Sequence, residues 1–155
     1  MDVYRCLTAA LFLMVMLTAC STKSPQLATV PDTLTLYSID GGKERPASVD
    51  KDKEAFRGYP VIGKVDVTDA KAKKALMDAL KEGMDASDGQ IAGCFRPRHA
   101  IRASTNGQTT DYVICFECTQ LQVYTDDKPK TETITRKPKS VFNTQLKTAK
   151  IPLAP

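Results

Sequence analysis

Cys94, Cys115 and Cys118 fall in one stretch of the chain that also holds His99, its only histidine. These residue types and spacings admit three chemistries. The first is a disulfide. Residues i and i+3 of an extended strand lie roughly 10 Å apart, whereas a bridge needs Cα atoms within about 7 Å. Cys115 and Cys118 therefore pair only across a bend; otherwise Cys94 is the partner of one of them. Closing a loop of about 20–25 residues stabilises by about 3 kcal/mol in the chain-entropy model. Any such pairing leaves one of the three thiols free. The second chemistry is a tetrahedral zinc site, with Cys94, His99, Cys115 and Cys118 as a Cys3His set. Its C-x2-C spacing fits and its C-x4-H spacing is tolerable. The third is a thioredoxin-like redox pair at Cys115 and Cys118. Such pairs sit at a helix N-terminus, where the dipole lowers the thiol pKa, but Leu121 to Tyr124 reads as a further strand.

His99 also has a plainer reading, as a packed and hydrogen-bonded strand residue, and no Ser or Asp spacing around it forms a triad. Arg96, Arg98 and Arg102 have the guanidinium forks that suit carboxylate or phosphate. Arg102 already has an internal candidate partner in Asp111.

The elements that must position these residues are partly legible. Asn106-Gly107 separates two β-rich segments, Ala100 to Thr105 and Gln108 to Glu117, and both turn residues tolerate the positive φ of a type I′ turn. A two-residue loop pairs Thr105 with Gln108, which sets Arg102 opposite Asp111 and His99 opposite Ile114. In that register His99 and Cys115 lie on opposite faces, so the zinc set requires a distortion near Pro97 or Glu117. Apolar residues occupy even positions from Tyr112 to Cys118 and odd ones at Leu121 and Val123. The change of phase requires a bulge or turn near 117–120.

Thr33 to Ile39 and Tyr59 to Val67 also read as strands, with an irregular surface loop over 43–58 between them. Ala72, Ala75, Leu76, Ala79, Leu80 and Met84 recur at helical spacing, Thr68 or Asp69 is available as N-cap, and Gly83 or Gly89 marks the end. Residues 126–139 read as a polar linker with two prolines. Ser140 is the expected cap of a short final helix over Val141, Phe142, Leu146 and Ala149. The fold class expected is α+β: a small, mainly antiparallel sheet, one long amphipathic helix at about 69–84 and a short C-terminal helix.

At the N-terminus, Leu7 to Leu17 is an uncharged apolar run closed by Leu17-Thr18-Ala19-Cys20. A transmembrane helix needs about 20 apolar residues, so the run suits the h-region of a secretory signal instead. A small residue and then a cysteine at its end resembles the lipobox of bacterial lipoprotein precursors. The resemblance implies cleavage between Ala19 and Cys20, palmitate and further acyl chains on Cys20, and permanent anchorage, since each buried methylene contributes about 0.8 kcal/mol. Residue 21 is Ser, not the Asp that in many Gram-negative lipoproteins favours inner-membrane retention. The outer membrane is thus the expected address in a cell with two. Separately, the Cys-Phe-x-Pro-Arg-His … Ile-Cys-Phe-x-Cys pattern over 94–118 resembles an uncharacterised group of exported bacterial proteins, which brings no activity with it.

This organisation gives a signal peptide over 1–19, a lipidated flexible tether over 20–32 and a single globular α+β domain over 33–155. The net charge of +4 is mild, and nucleic-acid binding fits an exported, tethered protein poorly. The function expected is that of an envelope lipoprotein, more a binding or structural module than an enzyme. Its partners are the membrane, through Cys20, and another envelope protein. The competing expectation is a zinc- or thiol-dependent envelope protein using Cys94, Cys115, Cys118 and His99.

Overall fold

The computed structural model describes residues 30–42 and 54–155. The chain runs β1 (Thr33–Ile39), β2 (Ala55–Phe56), β3 (Tyr59–Asp66), α1 (Ala70–Asp85), β4 (His99–Thr105), β5 (Gln108–Cys115), β6 (Gln120–Tyr124), β7 (Lys130–Thr133) and α2 (Lys139–Thr148). The strands form one seven-stranded sheet in the order β2-β3-β1-β4-β5-β6-β7. Every neighbouring pair is antiparallel.

Because strand side chains alternate between faces, the central strands serve two cores at once. On one face Leu34, Leu36, Ile101, Ile114, Leu121 and Val123 pack beneath the two helices, against Leu76, Met77 and Leu80 of α1 and Phe142 and Leu146 of α2. On the other, Tyr37, Ile39, Ala100, Val113 and Tyr124 close around Phe56 and Tyr59 of the β2–β3 hairpin. That hairpin turns on Arg57-Gly58, with φ of 49° and 88°. Its tip bends so far over the sheet that Arg57 reaches Asp111 on β5 and the ring of Tyr124 on β6. The sheet is thereby a curled half-barrel.

This architecture corrects the expected small sheet beside one long amphipathic helix. The sheet dominates and both helices are short, 16 and 10 residues. Two strands were hidden from sequence reading. β2 has only two residues, and β7 is Lys-Thr-Glu-Thr, an edge strand with no apolar alternation to betray it. The polar linker expected over 126–139 therefore contains a paired strand, and the surface loop expected over 43–58 ends in another. Nor does Ser140 cap α2. The cap position is Pro138, without a side-chain bond, while the Ser140 hydroxyl donates to the Lys137 carbonyl at 3.3 Å. In α1, Asp69 does cap, accepting from the Ala72 N–H at 2.8 Å.

The hairpin register holds in detail: His99 faces Ile114, Arg102 faces Asp111 and Thr105 faces Gln108, with Asn106 and Gly107 at φ of 51° and 77°. Segment 1–19, Cys20 and the tether as far as residue 29 lie outside the described residues, as do residues 43–53 of the expected loop. Asp32, at the end of the tether, is fixed to the domain. Its N–H donates to Ser104 O and its carboxylate accepts from the Asn106 N–H, both at 2.8 Å.

Candidate functional site

The three sulfurs meet at the β5–β6 connection. Strand β5 ends at Cys115 and β6 begins at Gln120, so four residues reverse the chain, with Thr119 at φ 53°. The reversal is the phase change seen in the sequence. It brings the Cα atoms of Cys115 and Cys118 to 5.2 Å, and the two are joined as a disulfide. Both are buried.

The loop from α1 to β4 lies against this turn and is fastened to it from both sides. Ala92 N–H donates to Cys118 O at 3.1 Å. Thr119 Oγ1 donates to Gln90 O at 2.8 Å, and Gln120 Nε2 donates to Ala92 O at 3.2 Å and to Cys94 O at 2.7 Å. The fastening sets Cys94, exposed and with its thiol free, at 3.5 Å from Cys118, sulfur to sulfur. Cys118 Sγ also accepts from the Arg96 N–H at 3.4 Å, and Cys115 Sγ accepts from the Cys118 N–H at 3.2 Å.

His99 is taken elsewhere. Paired with Ser38 and Ile114 across its neighbouring strands, it points under the helices, where Phe116 and Phe142 stand edge-on at 5.2 and 5.9 Å between ring centroids. Its Nε2 is 2.8 Å from Asn143 Oδ1. Burial pushes its pKa down to about 4, against the opposing pull of the Asn143 bond, and the charges of Lys139 and Arg98 add to the lowering. The imidazole is therefore neutral at neutral pH. The adjacent Ser38 Oγ is buried with no hydrogen-bond partner among the described residues, a placement that nothing in the structure explains.

Of the four candidate zinc ligands, the fold thus gathers Cys94, Cys115 and Cys118, with two of them joined to each other, and commits His99 to Asn143. Among the described residues no group of three or more His, Cys, Asp or Glu side chains is arranged to hold a metal ion. The Cys115–Cys118 pair lies in a turn between strands, so it lacks the helix N-terminus on which the thioredoxin-like reading depends.

The arginines divide as well. Arg102 forks onto Asp111 with two bonds of 2.8 Å, and Arg57 adds a third from its Nε at 2.7 Å. Asp111 is fully buried, and the guanidinium groups stack over Tyr124 (Arg57, 4.5 Å) and Phe56 (Arg102, 5.2 Å). Two partly exposed guanidinium groups thus share one buried carboxylate. Arg57 was missed by sequence reading because its segment carries no strand or turn signal that reads as a hairpin. Arg96 is exposed and Arg98 half-buried.

Glu117, at the tip of the β5–β6 turn, is bonded by Lys139 Nζ, and Arg136 donates to its carbonyl at 3.1 Å. The Lys139 bond holds the Glu117 carboxyl below the usual range. An open groove of about 510 Å3 runs between the end of α1 and the start of α2, lined by Ala79, Glu82, Gly83, Lys137, Pro138 and Val141 among others; neither cysteine nor histidine lines it. No helix among the described residues is long and apolar enough to cross a membrane. Compared with family models, curated proteins and solved structures, the chain matches none.

Proposed function

We propose that this chain is a bacterial envelope lipoprotein whose half-barrel domain is a binding or structural module, tethered to the outer membrane through acylated Cys20 and serving an envelope protein partner. The observation that carries the reading is Leu17-Thr18-Ala19-Cys20 at the end of an apolar run too short to span a bilayer. The Cys115–Cys118 disulfide supports it, because such bonds persist in oxidising compartments and are rare in the cytosol.

Labelled palmitate fed to a bacterial host tests the proposal. Wild-type chain is expected to carry label and sediment with membranes, whereas Cys20→Ala carries none and is recovered in the soluble fraction. Wild-type chain without label, or a Cys20→Ala variant that keeps it, overturns the assignment.

A second reading, a thiol-dependent envelope protein, is favoured by one observation. The exposed Cys94 thiol stands 3.5 Å from a disulfide sulfur.

A further inference from the structure

We propose that Cys94, Cys115 and Cys118 form an internal thiol–disulfide exchange site, in which Cys94 displaces Cys115 from Cys118. The inference deepens the thiol-dependent reading and rests on it. It does not depend on lipidation, so the connectivity measured below and the label on Cys20 fail separately.

The step needs no external oxidant or reductant. The Cys94 thiol gives its proton to water, and the resulting thiolate attacks Cys118 Sγ, since the thiolate is the nucleophile in disulfide exchange. A Cys94–Cys118 bond forms as the Cys115–Cys118 bond breaks, and the electron pair leaves on Cys115 Sγ. That leaving sulfur already accepts a hydrogen bond from the Cys118 N–H at 3.2 Å, which stabilises the departing charge until it takes a proton. One disulfide and one thiol stand on each side of the reaction.

Two observations point to Cys118 as the central sulfur, and a third bears on what the exchange does. It is the one Cys94 approaches, at 3.5 Å. The attacking loop is not free to wander, because Gln120 holds the Cys94 carbonyl at 2.7 Å and the Ala92 carbonyl at 3.2 Å from the strand that follows the turn. Holding two reacting groups together in this way removes the entropic cost of their encounter. Finally, the two alternative free thiols differ in environment: Cys94 is exposed and Cys115 is 2 % exposed. Exchange therefore moves the reactive thiol between the surface and the interior, where it is protected as a small apolar side chain. The site acts as a switch that shows or hides a nucleophile.

Mapping the linkages in the full chain tests this. The protein is held at neutral and at alkaline pH, quenched in acid, and its free thiols are capped in acidic denaturant. Cleavage after Glu117, between Cys115 and Cys118, combined with cleavage after Arg98 and Arg102, between Cys94 and Cys115, puts the three cysteines on separate peptides and lets mass spectrometry distinguish the pairs. Both linkages are expected, Cys115–Cys118 with capped Cys94 and Cys94–Cys118 with capped Cys115, interconverting faster at higher pH. A single linkage at every time and pH overturns the proposal. Cys115→Ala gives an independent reading: it is expected to form the Cys94–Cys118 bond in the presence of oxidised glutathione, and two persistently free thiols there overturn the proposal equally.

Discussion

His99 is held neutral between the edges of Phe116 and Phe142, and that neutrality makes stability depend on pH. Unfolded, the ring titrates near 6.5; folded, only at about 4. Between those values the unfolded chain binds a proton that the folded one refuses, so stability is fully present above pH 6.5 and is lost as pH falls toward 4. A shift from 6.5 to about 4 corresponds to about 3 kcal/mol over the whole window. Most of the loss above about pH 5 belongs to this one group, because ordinary carboxylates titrate lower. Replacing both partners by apolar residues, His99→Leu with Asn143→Leu, avoids orphaning either polar group. Urea unfolding of that pair of substitutions is expected to show a flat pH profile from 6.5 to about 5, where wild type declines. A variant declining as steeply as wild type would show that another group carries the dependence. Asp111, buried on the other face, instead accepts from two arginines that are themselves partly exposed.

Between elements, the closest approach is where α1 meets the segment leading into α2. Gly83 lies inside the helix, its carbonyl oxygen accepting from the Thr135 N–H at 2.8 Å. A Cβ at this position would stand 2.4 Å from Pro138 Cγ and 3.0 Å from Ile134 Cγ1. Propensity alone favours Gly83→Ala by about 1 kcal/mol in a helix interior; contact with the rigid proline ring reverses the sign. Overpacking of this kind costs about 1–3 kcal/mol, so thermal unfolding should show Gly83→Ala less stable than wild type, and a gain would mean that the two helices part easily. Sequence spacing offers Gly83 or Gly89 as the helix end, whereas α1 runs on to Asp85, since nothing local announces a neighbour across the fold. The same limit decides what else was legible. Asn106-Gly107 announced its hairpin because the turn chemistry is local, whereas Arg57-Gly58 adopts the same positive φ pair without the Asn or Asp that marks it. The bend between Cys115 and Cys118 followed from a change of phase in the apolar pattern. That Cys94 would join them did not, because its loop is placed by the amide of Gln120 and the hydroxyl of Thr119, polar contacts without periodicity.

Over the whole molecule, protection against unfolding should follow the curl of the sheet. Strands β1, β4 and β5 have a partner on each side and apolar cover on both faces, so the amides of Leu36, Ile101 and Val113 open only with the entire domain. The hairpin at the other end is held down at its tip, where Arg57 crosses from β2–β3 to Asp111 and Tyr124. Arg57→Ala removes that clasp but leaves Asp111 with both Arg102 bonds, so no buried carboxylate is stranded and the loss stays local. Native-state hydrogen exchange separates the levels. Two amides report on the hairpin, Val61, which donates to Glu54 O, and Asp40, which donates to Pro60 O, each at 2.9 Å. In Arg57→Ala these are expected to exchange markedly faster while Ile101 and Val113 slow or quicken only by the small change in global stability. Equal acceleration at all four would mean that the half-barrel opens as one unit and that the clasp adds nothing beyond its share of the total. The local outcome follows from geometry: β2 is two residues long and brings few ladder bonds of its own. The packing of Phe56, the packing of Tyr59 at the start of β3 and the Arg57 guanidinium add to its hold on the molecule, so side chains seal the curl where the backbone ladder is short.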